Sequence, residues 1–189
     1  MADAVIAQGV EAGGHRGMFL SDDISAQPGS FALIPQIADA VRVPVIAAGG
    51  VSDARGIAAA FMLGASGVQI GSAYLHCPES KISAMHRSAL KAAGDDGTTI
   101  TNVMTGRPAR GVINRLVREV GPVSPLAPAF PLAVGAIMPL RAKAEAAGSG
   151  DFSPMWAGQA AALGRVMPAQ ELTRALAVEA QALLRSTAA

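Results

Sequence analysis

Gln8-Gly9-Val10-Glu11-Ala12-Gly13-Gly14-His15-Arg16-Gly17 directly follows the apolar run Ala4-Val5-Ile6-Ala7, so a short buried-type strand opens into a glycine-rich loop that carries a histidine. Such a histidine lies beyond the carboxyl end of a strand, where barrel and other α/β enzymes keep their chemistry. Two later glycine loops extend the pattern. Gly49-Gly50 ends the run Val43-Pro44-Val45-Ile46-Ala47-Ala48, and Gly71-Ser72 ends Gly67-Val68-Gln69-Ile70. Bare N–H groups at Gly49, Gly50 and Gly71, with the Ser72 hydroxyl beside them, suit a phosphate dianion. Any one of these glycines could equally serve a tight turn. The pair of loops at this spacing favours phosphate binding.

The elements that must position these loops are legible from apolar patterning. Continuous rather than alternating apolarity marks parallel strands buried on both faces. Phe31 to Val41 reads as a helix with Pro35 in its first turn. A second helix has Ser52 as N-cap, Asp53 in the first turn and Gly64 at its end. The resulting order of strand, helix, strand, helix, strand predicts right-handed βαβ units and a parallel sheet. Beyond Ser72 the pattern turns helical: Glu79 to Ala93, then a turn at Gly94-Asp95-Asp96-Gly97, a short helix within Arg110 to Val120, and another from Ala142 to Ala147. Ser153-Pro154 opens a helix over Met155 to Leu163. Pro168 opens the last, with Leu172, Leu176 and Leu183 as its buried stripe.

The chain resembles the nitronate monooxygenases, formerly called 2-nitropropane dioxygenases. The matching segments are QGVEAGGHRG (8–17), VPVIAAGGVSDARGIAAAFMLGASGVQIGSAYLHCPES (43–80), TGRPARGVINR (105–115) and MWAGQAAAL (155–163). They follow the family's order over nearly the whole chain. Gly71-Ser72 stands where the family usually has Gly-Thr, a departure that keeps the hydroxyl. The resemblance implies an FMN cofactor, with its phosphate on Gly50 and on Gln69, Ile70, Gly71 and Ser72. Gln8 and Gly13 match positions that contact the flavin. It further implies oxidation of alkyl nitronates or nitroalkanes by O2 to a carbonyl compound and nitrite. His15 is then the base for a neutral nitroalkane, or a hydrogen-bond partner of an anionic nitronate; an imidazole near its ordinary pKa of about 6.5 is mostly neutral near pH 7.

A complete (β/α)₈ barrel needs about 250 residues and eight strands. By the resemblance, this chain carries about the last three βα units of an FMN-binding TIM barrel, with a small helical cap. The expected division is 1–77 for the barrel portion, 78–150 for a helical substrate-capping region, and 151–189 for terminal helices packing on the barrel. Val5 and Ile6 would then lie on an unpaired edge, an aggregation liability. Self-association or a complementary N-terminal half-barrel is the partner expected.

Composition narrows the other possibilities. A formal charge of +1 and 15% charged residues call for neither nucleic acid nor an anionic membrane. Residues 120–140 lack charge, yet Pro122, Pro125, Pro128, Pro131 and Pro139 interrupt them, so a connection inside the cap is expected, not a membrane span. The single cysteine, Cys77, excludes an internal disulfide framework; a cytoplasmic protein is expected, with Cys77 as a small buried apolar residue. His76-Cys77 without further ligands makes no metal site, and no metal is expected. His86 reads as an ordinary residue. Glu11 could orient His15 or cap a loop. Arg16 reads as a solvated arginine, and Trp156 as packing for the terminal helix. Arg107, Arg110, Arg115 and Arg118 lack the interleaved aromatics of a nucleic-acid surface. Two other readings stay open: a flavin-dependent enoyl-acyl-carrier-protein reductase, marked by NADH oxidation, and a non-catalytic half-barrel remnant.

Overall fold

Val5–Gln8 forms the first strand, β1, and Gly14–His15 a two-residue second, β2. Helix α1 (Ser30–Ala40), β3 (Val45–Ala48), α2 (Ala54–Met62) and β4 (Gly67–Gln69) follow, then the short α3 (Ser72–Leu75) and α4 (Ala84–Ala92). Strands β5 (Thr98–Thr101) and β6 (Ala109–Val112) precede α5 (Arg115–Val120), α6 (Leu132–Ala146) and α7 (Ala169–Thr187). This is a computed structural model, and it describes residues 2–187.

The expected βαβ units are present. Strands β1, β3 and β4 form one parallel sheet in that order, with Val5 opposite Val45 and Ile46 opposite Gly67. Helix α1 covers this sheet through Ile34, which packs with Ala7, Val45, Ala47 and Ala60. On the other side of α2, Ala54 and Ile57 meet Leu172, Leu176 and Ala180 of α7. Burying Leu172 and Leu176 contributes about 1.5–3 kcal/mol each. The stripe continues through Ala180, and Leu183 is more than a third exposed, so the expected third leucine is not part of it. Asp53, not Ser52, is the N-cap of α2: its carboxylate accepts from the N–H groups of Arg55 and Gly56. Gly64 ends the helix at φ +96°, a conformation that only glycine adopts without strain.

The region expected to be helical also contains strands. β2, β6 and β5 form a second, antiparallel sheet in that order, with Ala109–Val112 extended, and the short helix expected within Arg110 to Val120 is present as Arg115–Val120. Strands β5 and β6 are four residues each, too short for periodicity to reveal them. Ser83 caps α4, which starts five residues after the expected Glu79. Helix α6 begins at Leu132, inside the proline-rich stretch, and contains Pro139. The 155–163 segment is not one helix: Trp156 bridges to Gly111 of β6, and a 3₁₀ turn spans Gln159–Leu163. Among the described residues no helix is long and apolar enough to cross a membrane.

Candidate active site

The three parallel strands deliver their carboxyl-end loops to one cavity of about 230 Å³. Gln8 and Gly13 come from the first loop, Gly50 from the second, and Gln69, Gly71 and Ser72 from the third. Trp156 and Gly158, far along the chain, close the opposite wall. Ser72 Oγ fixes this closure by accepting from Gly158 N at 2.8 Å. No hydrogen bond within the described residues engages the N–H groups of Gly50, Gly71 or Ser72. Gly50 has φ +73°, and a Cβ on Gly71 would meet nothing within 4 Å. These are features of a backbone cradle open to an anion. Ile70 is the exception among the expected residues, since its side chain packs against the core formed by α2 and α7.

His15 stands beside this cavity on an ordered strand. Its pairing with Ala109 holds the backbone, and Gln8 pins it further, donating from Nε2 to the His15 carbonyl at 3.1 Å. The imidazole ring lies near two aromatic groups, 5.5 Å from the Trp156 ring and 5.9 Å, edge on, from Phe130. Its Nε2 is 2.9 Å from Thr105 Oγ1. Partial burial lowers the His15 pKa, and the Arg107 guanidinium lowers it further, so the ring is held neutral at pH 7. Arg107 is itself anchored, donating from Nη2 to the Met18 carbonyl and lying over the rings of Phe19 and Phe130.

Below the glycine loop lies a group of buried charges. Arg16 is buried, not solvated as expected: Nη1 donates to the Ala12 carbonyl and Nη2 to that of Gly9, both at 2.6 Å. Burial, together with neighbouring Arg110, brings its pKa down to about 10, with Glu11 opposing the shift. Arg110, also buried, donates to the Val10 carbonyl at 2.9 Å and to Thr98. The two guanidiniums therefore hold three carbonyls of the first glycine loop, those of Gly9, Val10 and Ala12. Glu11 takes the capping role, accepting from Ser30 N at the start of α1, and makes no bond to His15.

Sequence reasoning missed Thr105, Phe130 and the site role of Trp156. Trp156 was expected to pack a terminal helix, and instead lines the cavity. The signal for Thr105 was available in TGRPARG, where it precedes Arg107, but only the fold brings it to His15. His76 and His86 do serve structure: their Nε2 atoms contact the carbonyls of Ala161 and Trp156. Cys77 is buried, and burial pushes its thiol pKa up. Among the described residues no cluster of His, Cys, Asp or Glu could hold a metal ion.

The family model for nitronate monooxygenase matches residues 1–179. A nitronate monooxygenase of Pseudomonas aeruginosa is 48% identical over 179 residues, covering 94% of this chain and 51% of that protein. The crystal structure of a nitroalkane oxidase from Streptomyces ansochromogenes superposes with a TM-score of 0.89 at 42% identity, covering 100% of this chain and 54% of that one. A FabK variant from Thermotoga maritima superposes with a TM-score of 0.74 at 30% identity, covering 98% and 54%. The chain thus has the α/β fold of these proteins and spans about half the length of the curated relatives it matches.

Proposed function

Because this chain belongs to the nitronate monooxygenase family, we propose that it carries the cofactor-binding and proton-transfer half of an FMN-dependent oxidation of alkyl nitronates or nitroalkanes by O2, giving a carbonyl compound and nitrite. One observation carries the reading: three carboxyl-end loops of a parallel sheet converge with Trp156 on a single cavity, and a neutral histidine stands at its side. The residues fit the cofactor. The free N–H groups of Gly50, Gly71 and Ser72 suit its phosphate, and the open space at Gly71 admits it without displacing protein atoms. Gln8 and Gly13 line the wall where the ring system would rest. FMN supplies the electron-accepting chemistry that no side chain provides.

The chain's own residues would do the rest. Neutral His15 takes the α-proton of a nitroalkane onto its ring. Arg107, close enough to depress the His15 pKa, attracts the negative charge left on the nitronate. Trp156 and Phe130 lie near the ring with apolar surface suited to an alkyl group. The parallel sheet is read as the last three strands of a TM barrel, with residues 78–150 as the cap and 151–187 returning to the barrel. The outer edge of β1 is where an N-terminal half, or a second copy, would add.

The test is titration of the purified chain with FMN, followed by nitrite release from an alkyl nitronate. Wild type is expected to give a bound-flavin spectrum and nitrite. His15→Ala should keep FMN and a preformed nitronate activity while losing the neutral nitroalkane. Flavin binding with NADH oxidation but no nitrite would favour the reductase reading. A folded chain that leaves FMN unbound would overturn the proposal that these loops suffice for the cofactor.

A further inference from the structure

We propose that Thr105 is a positioning residue that fixes the tautomer of His15, leaving Nδ1 as the nitrogen that accepts the proton; the inference rests on the role of His15 proposed above. Thr105 Oγ1 has three contacts: His15 Nε2 at 2.9 Å, the Arg107 carbonyl at 3.2 Å and Arg107 N at 3.4 Å. A hydroxyl has one proton to give and two lone pairs to receive with. The Arg107 carbonyl can only accept, and the Arg107 N–H can only donate. All three contacts are satisfied together in one arrangement: the hydroxyl donates to the carbonyl, and both Arg107 N–H and His15 Nε2–H donate to the hydroxyl. The opposite tautomer would draw the hydroxyl proton to Nε2 and strip the Arg107 carbonyl of its partner. Thr105 is buried and its bond to the Arg107 carbonyl is part-buried, so leaving that carbonyl without its partner is costly.

The consequence is specific to one atom. Nδ1 makes no hydrogen bond among the described residues, so in the proposed tautomer its lone pair is the free base on the ring. Taking up a proton there requires no rearrangement at Nε2, which donates to Thr105 before and after. The indole of Trp156 and the ring of Phe130 restrict rotation of the imidazole and so keep Nδ1 on the same side. Thr105 would thereby act on the reaction entirely through His15.

The test is ¹⁵N NMR of the histidine ring nitrogens in the full chain. Only three histidines are present, so His15→Gln assigns the signals of His15 directly. Above its pKa, His15 is expected as the Nε2–H form with an unprotonated Nδ1. Thr105→Val should lose that single-tautomer signature, and Thr105→Ser should restore it. Nitroalkane turnover should fall about threefold to tenfold in Thr105→Val, the worth of one hydrogen bond, and recover in the serine variant. Unchanged His76 and His86 signals report that the valine variant is folded, and the wild-type tautomer decides the matter even if it is not. An Nδ1–H form in wild type, or a valine variant that keeps the wild-type tautomer, would overturn the proposal. The ring signals are read without cofactor or substrate, so a failure of nitrite release bears on the functional reading alone.

Discussion

Glu11 and Ser30 are joined through both carboxylate oxygens: each accepts from Ser30 N, at 2.8 and 3.0 Å, and Oε2 also accepts from the Ser30 hydroxyl at 2.8 Å. Ser30 Oγ in turn lies 2.9 Å from the Gly49 carbonyl. One side chain of the first glycine loop therefore holds the start of α1, whose Ser30 hydroxyl has a single proton to share between Glu11 Oε2 and the Gly49 carbonyl of the second glycine loop. Glu11→Ala should destabilise the fold by about 1–3 kcal/mol, the range for a lost cap and an exposed buried donor. Urea unfolding measures this, and a loss below about 0.5 kcal/mol would contradict the linkage.

Arg16 sends two guanidinium nitrogens to separate carbonyls, a fork that lysine cannot reproduce. Arg16→Lys is expected to weaken FMN binding and lower the unfolding midpoint, although it preserves the charge. Equal loss in Arg16→Lys and Arg16→Met would show that fork geometry matters; full retention in the lysine variant would show that charge alone suffices.

Gly50 and Gly71 separate strain from space. Gly50 has a positive φ, so Gly50→Ala should lose about 1 kcal/mol of stability. A Cβ on Gly71 meets no protein atom within 4 Å, so Gly71→Ala should melt like wild type while losing FMN affinity at least tenfold. Thermal melts and flavin titration on the same samples check both halves.

Arg107 lowers the His15 pKa from an ordinary 6.5, as does burial, the larger cause. Proton abstraction needs neutral His15, so turnover of a neutral nitroalkane should rise with pH through a point below 6.5 and level off above it. In Arg107→Met that rise should move to higher pH, without passing 6.5, because burial remains. A pH–rate profile with an unmoved inflection would show that Arg107 does not act on His15.

His15 and His86 both have folded-state pKa values below their ordinary 6.5. As pH falls through 6.5 the unfolded chain takes up these protons first, so the folded state loses stability there. Their contribution is complete above 6.5. The melting temperature should drop between pH 7.5 and pH 5.5, and a double substitution of the two histidines should flatten that drop.

Much of the site's frame was legible in the order of residues. Continuous apolar runs read as parallel strands, and the loops after the second and third carry Gly49, Gly50, Gly71 and Ser72, which patterning alone singled out; Gln8, Gly13 and Gln69 were named through the family resemblance. Local chemistry carries that information: apolarity, turn preference and capping act within a few residues. Ser52 and Asp53 show its limit, since neighbouring residues both able to cap are separated only by backbone geometry.

What the tertiary structure decided involves residues distant in sequence. The pairing of His15 with Ala109 made the histidine loop an ordered strand, and the same sheet brought Thr105 to within 2.9 Å of the imidazole. Burial of Arg16 and Arg110 depended on loop carbonyls that face them only once both sheets are assembled. Trp156 became a wall of the cavity because its segment bridges to Gly111. Short strands and long-range hydrogen bonds leave no periodic trace, because their partners are chosen by satisfying buried polar groups across the whole fold and not by neighbours along the chain.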